Sequence, residues 1–295
     1  MRNKYFLLYL VSIILMTGCH RQDTLEEHNK AKGALFIIGG GKRPPEMIRR
    51  LIDDAAFSTG DYIIVLPMSS EEPDTSFWYT REQFVKGGIP EEKICNFMVR
   101  DVEGMTPQYL DSVRYARIIY IPGGDQSAFM SVVLNTPLHS AIREAWESGA
   151  MVAGTSAGAA VMSRMMITGN ELKYPEYTGD FRTIEADNIE LGEGLGLLDH
   201  VIIDQHFIYR MRMNRLITTV LEHPGTVGVG IDEATAILVR GDSAEVVGES
   251  QVIVLRNPGE QINLRQDLLG GQDLSMDVCL PGTRFYLGTQ GKQRN

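Results

Sequence analysis

The chain has 295 residues, of which 43% are hydrophobic, and carries a formal net charge of −10 at pH 7. This length and hydrophobic content are sufficient for one large domain with a substantial core. The negative charge and the lack of basic runs argue against a general nucleic-acid binder, because phosphate binding needs a basic face. Three widely spaced cysteines favour neither a zinc cluster nor a disulfide framework, so we expect no metal and no cofactor.

Residues 1–19 predict a bacterial secretory signal that ends in a lipidation site. Two basic residues precede an apolar stretch over residues 5–16, which is short for a membrane-spanning helix. Thr17 and Gly18 then lead into Cys19, and this ending resembles a lipobox, although Met16 stands where leucine is commoner. We expect lipid on Cys19, which would anchor the protein to a membrane of the bacterial cell envelope, outside the cytoplasm. An ordinary cleaved signal with an incidental cysteine is the alternative.

Residues 20–32 are polar and charged, which predicts a tether between this anchor and a domain over residues 33–295. From residue 33 onward, apolar β-type runs alternate with amphipathic helical patterns, which predicts an α/β fold with a mostly parallel sheet flanked by helices. The predicted strands cover residues 34–38, 62–67, 94–99, 116–121, 151–153 and 201–204. The predicted helices cover residues 45–56, 77–86, 106–114, 126–134 and 137–148.

The pattern changes after residue 225 to short β runs separated by turns, at residues 227–231, 236–239, 244–247, 251–255 and 276–280. These runs predict hairpins that extend the same sheet. Residues 169–194 form a long, polar and weakly periodic connection, which is typical of a functional lid or a flexible insertion. The Gly-Gly-Gly-Lys sequence at residues 39–42 matches neither nucleotide-binding loop pattern, so we expect no nucleotide there.

The sequence Gly-Thr-Ser-Ala-Gly at residues 154–158 makes Ser156 a candidate nucleophile. A short buried strand precedes it and a small-residue helix follows, which is the context of a nucleophile elbow. Small neighbours allow the sharp turn, and the helix start offers free N–H groups to a developing oxyanion. The alternative is an ordinary tight turn between a strand and a helix.

A serine nucleophile needs a base, and His206 is the best placed of the six histidines. It follows the predicted strand 201–204, at the carboxyl end where sites form in such sheets. A purely structural polar residue at a strand edge is the alternative. Asp232 and Glu233, in a turn between two β runs, are both candidates for the acid that orients this histidine.

Four motifs in order resemble the cyanophycinases, a serine peptidase family that also holds the aspartyl dipeptidases. The motifs are Gly-Gly-Asp-Gln at 123–126, Gly-Thr-Ser-Ala-Gly-Ala at 154–159, Asp-Gln-His-Phe at 204–207 with three arginines following, and Gly-Ile-Asp-Glu at 230–233. The resemblance covers about residues 33–287 and implies a flavodoxin-like core related to class I glutamine amidotransferases. It implies that Ser156 is the nucleophile, His206 the general base and Glu233 the acid. It further implies a substrate site lined by Gln126, Asp204, Gln205, Arg210, Arg212 and Arg215.

The local chemistry agrees with this resemblance. The backbone N–H groups of Gly124 and Ala157 are candidate oxyanion donors, since both lie at glycine-rich turns on the same edge of the sheet. Arginine presents a rigid fork suited to carboxylates. Cyanophycin, a polyaspartate with arginine on its side-chain carboxyls, offers one free carboxylate on every arginine. The alternative for Arg212 or Arg215 is that its side chain is an ordinary charge on the surface of a helix.

We therefore expect a secreted serine exopeptidase that releases β-aspartyl-arginine dipeptides from cyanophycin or cleaves a related aspartyl peptide. Its expected partner is a peptide rich in aspartate and arginine, and a homodimer is possible. Two alternatives remain open. One is an α-aspartyl dipeptidase acting on short peptides, and the other is a non-catalytic binder of acidic peptides.

Overall fold

The computed structural model describes residues 32–176 and 181–288. The predicted signal, Cys19 and all but the last residue of the predicted tether lie outside these described residues. Within the described ranges, no helix combines the length and the apolar character needed to cross a membrane.

The strands in the described residues are β1 (Leu35–Ile38), β2 (Ile63–Val65), β3 (Ile94–Asn96), β4 (Ile118–Ile121), β5 (Met151–Thr155), β6 (Met165–Glu171), β7 (Ile189–Glu193), β8 (Val201–Gln205), β9 (Val227–Ile231), β10 (Thr235–Arg240), β11 (Ser243–Gly248), β12 (Val252–Arg256), β13 (Asn263–Arg265), β14 (Leu268–Gly270), β15 (Ser275–Cys279) and β16 (Arg284–Tyr286). The α-helices are α1 (Pro45–Asp54), α2 (Pro73–Lys86), α3 (Pro107–Arg114), α4 (Gln126–Val133), α5 (Pro137–Glu147), α6 (Ala157–Ala160) and α7 (Met213–Glu222).

Local sequence explains where several helices begin. Helices α1, α2, α3 and α5 each start at a proline, whose fixed φ suits the first helical turn and whose missing N–H is not needed there. The Thr106 hydroxyl caps α3 and the Asp125 carboxylate caps α4 by accepting backbone N–H bonds. Helix α2 begins at Pro73 instead of the predicted residue 77, because proline suits its first turn as it does in the other three helices.

The main sheet has eight strands in the order β16-β11-β10-β1-β5-β4-β2-β3. The five strands from β1 to β3 in this order run parallel, and β10, β11 and β16 add an antiparallel extension. Side chains of β1 alternate between two apolar clusters, with Leu35 and Ile37 on one face and Phe36 and Ile38 on the other. Each such buried side chain contributes about 1.5–3 kcal/mol relative to exposure. The predicted mixed α/β fold, with a largely parallel sheet and extra C-terminal strands, is confirmed.

A second sheet corrects part of the predicted topology. It has four strands in the order β15-β12-β9-β8, so strand 201–204 does not join the parallel sheet, and the runs near 227, 251 and 276 do not extend it. Both faces of this sheet are covered. Val229 on β9 packs into the main core, whereas Ile253 on β12 packs against Leu216 of α7. The sequence pattern shows that these runs are buried strands, but it does not show which sheet they join.

The predicted lid at residues 169–194 is partly a regular hairpin. Strand β6 pairs antiparallel with β7, with a register irregularity between Ile167 and Glu171. Residues 177–180 lie outside the described part of the chain. Strand β6 begins within the structured core, so the start of this connection is anchored to the domain.

Candidate active site

Ser156 occupies a strained turn between β5 and α6. Its backbone has φ 54° and ψ −112°, a conformation that non-glycine residues rarely adopt and that costs about 1–3 kcal/mol. The neighbouring glycines are required by close contacts, since a Cβ on Gly154 would lie 2.3 Å from the Gly158 carbonyl oxygen. A Cβ on Gly158 would lie 1.9 Å from the carbonyl oxygen of Ile121 on β4. The turn therefore holds the serine at the carboxyl edge of the parallel strands.

Three side chains predicted from the sequence form one chain of hydrogen bonds. The Ser156 Oγ lies 2.8 Å from His206 Nε2, and His206 Nδ1 lies 2.6 Å from Glu233 Oε1. His206 follows β8, and Glu233 lies in the turn between β9 and β10. A neutral imidazole that donates its Nδ1–H to the carboxylate leaves Nε2 free to accept the serine proton. This is the arrangement that general-base activation of a serine requires.

The environment of His206 favours the neutral imidazole. Burial lowers its pKa below the ordinary 6.5, and the positive charges of Arg210 and Arg212 lower it further. The hydrogen bond and the negative charge of Glu233 act in the opposite direction but do not overcome burial. His206 is therefore ready to accept a proton at neutral pH.

The two acids that the sequence left as alternatives have different hydrogen-bond partners in the structure. Glu233 contacts the imidazole, whereas Asp232 Oδ1 accepts hydrogen bonds from the backbone N–H groups of Ile208 and Tyr209 over 3.1 and 2.9 Å. Asp232 Oδ2 accepts the hydroxyl of Ser250 over 2.8 Å. Adjacent carboxylates thus hold the ring of His206 and the chain that follows it.

The glycine-rich turn after β1 packs directly on this pair, a contact that the sequence analysis missed. Gly40 has φ 118°, and a Cβ there would lie 2.3 Å from His206 Cε1. A Cβ on Gly41 would lie 2.6 Å from Glu233 Oε2. The sequence does contain a signal for this contact, because three consecutive glycines follow a buried strand at the edge of the sheet where sites form. These glycines provide room for the side chains of His206 and Glu233.

The two predicted oxyanion donors lie on turns next to Ser156. A Cβ on Gly123 would lie 3.2 Å from the Ser156 Cβ, so this turn passes close to the serine. Gly124 has φ 140° and lies so close to Ser69 that a Cβ would be 1.9 Å from its carbonyl oxygen. Ala157 directly follows the serine as the first residue of α6. In the described parts of the chain, neither the Gly124 nor the Ala157 N–H donates to another group.

Four of the six predicted substrate residues form a buried network with one another. Asp204 is 1% exposed and Arg215 also 1%, and the Arg215 Nε donates to Asp204 Oδ2 over 2.7 Å. Arg212 is buried and donates to the Gln205 carbonyl over 2.8 Å. The Arg215 guanidinium also lies 4.6 Å below the ring of Phe181. This geometry pairs Arg215 with the buried carboxylate of Asp204, and a contact between Arg215 and substrate stays a prediction.

The other two predicted substrate residues differ from this group and from each other. The side-chain amide of Gln126 donates to the carbonyls of Ile167 and Thr168 over 3.0 and 2.6 Å, which ties α4 to β6. Arg210 is exposed, and among the described residues no group accepts a hydrogen bond from its guanidinium. It lines an open cleft of about 620 Å³ together with Phe181, Phe207 and Met213. Arg210 is the predicted arginine best placed to meet a ligand.

A strained serine between a parallel strand and a helix, hydrogen-bonded to a histidine that is in turn hydrogen-bonded to a carboxylate, is the arrangement of a serine hydrolase. The model of peptidase family S51 matches residues 35–247. The chain is 32% identical to the cyanophycinase of Trichormus variabilis over 267 residues, which cover 87% of this chain and 86% of the relative. It is 31% identical to the cyanophycinase of Geminocystis herdmanii, over 76% of this chain and 80% of the relative.

The chain therefore belongs to peptidase family S51 and is a serine-type peptidase. A solved peptidase structure from an acI-B1 actinobacterium superposes with a TM-score of 0.62 at 24% identity, covering 87% of this chain and 97% of the other. This structural likeness supports the fold alone.

Proposed function

We propose that the protein is a cyanophycinase-like serine exopeptidase, which releases β-aspartyl-arginine dipeptides from cyanophycin or hydrolyses a related aspartyl peptide. The hydrogen-bonded chain from Ser156 through His206 to Glu233 carries the chemical part of this proposal. The name of the two relatives supports the substrate part, because both are cyanophycinases that match most of the chain.

In the proposed reaction, the Ser156 Oγ attacks the scissile carbonyl carbon while His206 Nε2 takes the hydroxyl proton. Glu233 stabilises the imidazolium that forms. The N–H groups of Gly124 and Ala157 stabilise the oxyanion of the tetrahedral intermediate. His206 then gives its proton to the leaving amine, and the acyl-enzyme remains. Water, activated by the same histidine, releases the product and restores Ser156.

The exposed Arg210 supports the proposed preference for acidic peptides. A guanidinium can donate two parallel hydrogen bonds to a carboxylate, and cyanophycin offers such a carboxylate on each arginine. The cleft beside Arg210 also contains aromatic and methionine side chains, which can contact the aliphatic part of a substrate residue. The buried Asp204–Arg215 pair supports the chain segment that carries this cleft.

Incubating the purified full chain with cyanophycin and, separately, with short α-aspartyl peptides tests the proposal. Mass spectrometry of the products should find β-aspartyl-arginine dipeptides from the polymer, and Ser156→Ala should give none. Faster cleavage of the short peptides would support the α-aspartyl dipeptidase alternative. Binding of acidic peptides without any hydrolysis would support the non-catalytic binder and contradict the enzyme proposal.

We also propose that lipid on Cys19 anchors the protein in the bacterial cell envelope, outside the cytoplasm. The support is the basic start, the short apolar stretch and the small residues before Cys19. Cys19→Ala should abolish incorporation of labelled fatty acid and move the protein out of the membrane fraction of the native host. Unchanged membrane association without the cysteine would contradict a lipid anchor.

A further inference from the structure

Asp232 is a buried carboxylate that the proposed reaction does not use. It is 8% exposed and lies directly before Glu233 in the turn between β9 and β10. Its oxygens all have partners, since Oδ1 accepts two backbone N–H groups and Oδ2 accepts the Ser250 hydroxyl. Burying a carboxylate is costly unless it is fully hydrogen-bonded, so these bonds are what keep it in place.

The two N–H groups that Asp232 accepts belong to the turn that carries the base. This turn starts at His206, whose φ of 50° is unfavourable for a non-glycine residue. It continues through Ile208 and Tyr209 to Arg210, whose N–H donates to the His206 carbonyl over 2.9 Å. Asp232 thus caps this turn from the turn between β9 and β10, in the way that an aspartate caps a helix.

We propose that Asp232 is a positioning residue that holds the His206 imidazole and the Arg210 guanidinium in a fixed relation to each other. This inference rests on the proposed function, because it assigns His206 and Arg210 to the same site. Glu233 holds the ring of His206, and Asp232 holds the backbone N–H groups of Ile208 and Tyr209, which lie between His206 and Arg210 in the turn. Without Asp232 the turn loses both backbone bonds, and Arg210 moves relative to the imidazole.

The pKa of His206 distinguishes this role from general support of the fold. The charged groups that act on the imidazole are Glu233, which raises its pKa, and Arg210 and Arg212, which lower it. Any direct effect of losing the negative charge of Asp232 would lower this pKa, because a nearby negative charge favours the imidazolium. If instead the turn relaxes and Arg210 moves away, the pKa rises. An upward shift in Asp232→Ala therefore has the opposite sign to the effect of lost charge.

The experiment compares three variants of the full chain. Asp232→Ala removes both acceptors, whereas Asp232→Asn keeps an amide oxygen for the two N–H groups. Asp61→Ala is the matched control, because Asp61 accepts the N–H and the hydroxyl of Ser58 over 2.8 and 2.9 Å just before β2, at the opposite edge of the sheet. The pKa of His206 is measured by NMR titration of histidine-labelled protein, with and without Ser156→Ala. Steady-state kinetics on an aspartyl peptide complete the comparison.

We expect Asp232→Ala to raise the His206 pKa and to lower kcat/KM more than tenfold, with KM increasing for substrates that carry a free carboxylate. Asp232→Asn should restore most of kcat/KM and leave the pKa at or below the parent value. Asp61→Ala should lower stability only. An unchanged or lowered pKa in Asp232→Ala, or an Asn variant as impaired as the Ala variant, would overturn the inference. The titration needs no turnover, so a wrong substrate assignment would not be mistaken for a failure of the positioning role.

Discussion

The proposed nucleophile and its proposed base are held by two different parts of the fold. Ser156 lies at the end of a parallel strand in the main sheet, and its position is set by backbone contacts with Gly154 and Gly158. His206 follows a strand of the second sheet, and its position is set by carboxylates from the turn between β9 and β10. The nucleophile side relies on steric restriction of the backbone, whereas the base side relies on charged hydrogen bonds.

This difference determines how each side responds to substitution. Close-packed backbone has little freedom to adjust, so an added methyl group on the nucleophile side should destabilise the domain. The base side contains side chains and a polar turn, which can move when one partner is removed. Substitutions there should change activity and its pH dependence more than stability.

Ser156→Ala should have the largest effect, because it removes the attacking oxygen. We expect kcat to fall by at least about 10³-fold, since loss of the nucleophile disables the whole unit. His206→Ala should lower kcat nearly as much, although His206 belongs to the base side. Hydrolysis rates and thermal unfolding of the same preparations check this. Near-parental turnover in a folded Ser156→Ala protein would remove Ser156 from the mechanism.

Glu233→Gln should have the next largest effect and should test the electrostatic character of the base side. The variant keeps the side-chain shape but loses the charge that supports the imidazolium, so we expect a loss of about 10²–10⁴-fold in kcat. Because Glu233 raises the His206 pKa, its removal lowers that pKa. The acid limb of the kcat/KM profile should therefore move to lower pH as the plateau falls. A limb that moves to higher pH would contradict this account of the pair.

Two glycine substitutions test directly whether the nucleophile side is more rigid than the base side. Gly40→Ala places a methyl group against the His206 ring, which can rotate away, whereas Gly124→Ala places one 1.9 Å from a backbone oxygen, which cannot. We expect Gly40→Ala to lower kcat/KM by about 10–10²-fold, as is typical of a displaced reacting group. Its loss of stability should be smaller than that of Gly124→Ala. Gly60→Ala, with open space around its Cβ, is the control. Equal loss of stability in both variants would show that the two sides are equally rigid.

The fold could be predicted where local pattern and tertiary structure agree. Largely apolar runs such as residues 34–38 and 116–121 predict parallel strands, because both faces of such a sheet are covered by helices. The assignment of β8, β9 and β12 to a second sheet could not be predicted. Alternate side chains of β8 and β12 face two different apolar clusters, a property of long-range packing that strand periodicity does not encode.

The candidate site shows the same limit. Ser156, His206 and Glu233 could be proposed from their positions at the ends of predicted strands and from the family resemblance. The burial of Arg215 could not, because a charged residue in a helix normally faces solvent, and only the pairing with Asp204 makes its burial possible. The roles of Gly40 and Asp232 also depend on contacts between residues far apart in the sequence.

Arg210→Ala should have the smallest effect of the series and should depend on the substrate. The guanidinium is exposed, so we expect a loss of about tenfold in kcat/KM, or about 1.4 kcal/mol, when the peptide carries a free arginine carboxylate. An amidated peptide never offers this contact and should lose little. Arg210 also lowers the His206 pKa, so its removal raises that pKa and moves the acid limb to higher pH, opposite to Glu233→Gln. Measuring kcat/KM against pH on both peptides separates the effect of Arg210 on the His206 pKa from its contact with the substrate carboxylate. The pKa effect should move the acid limb for both peptides, whereas the carboxylate contact should affect only the peptide with a free carboxylate. Equal losses of kcat/KM for both peptides across the plateau would mean that Arg210 only supports the base side and does not bind the substrate carboxylate.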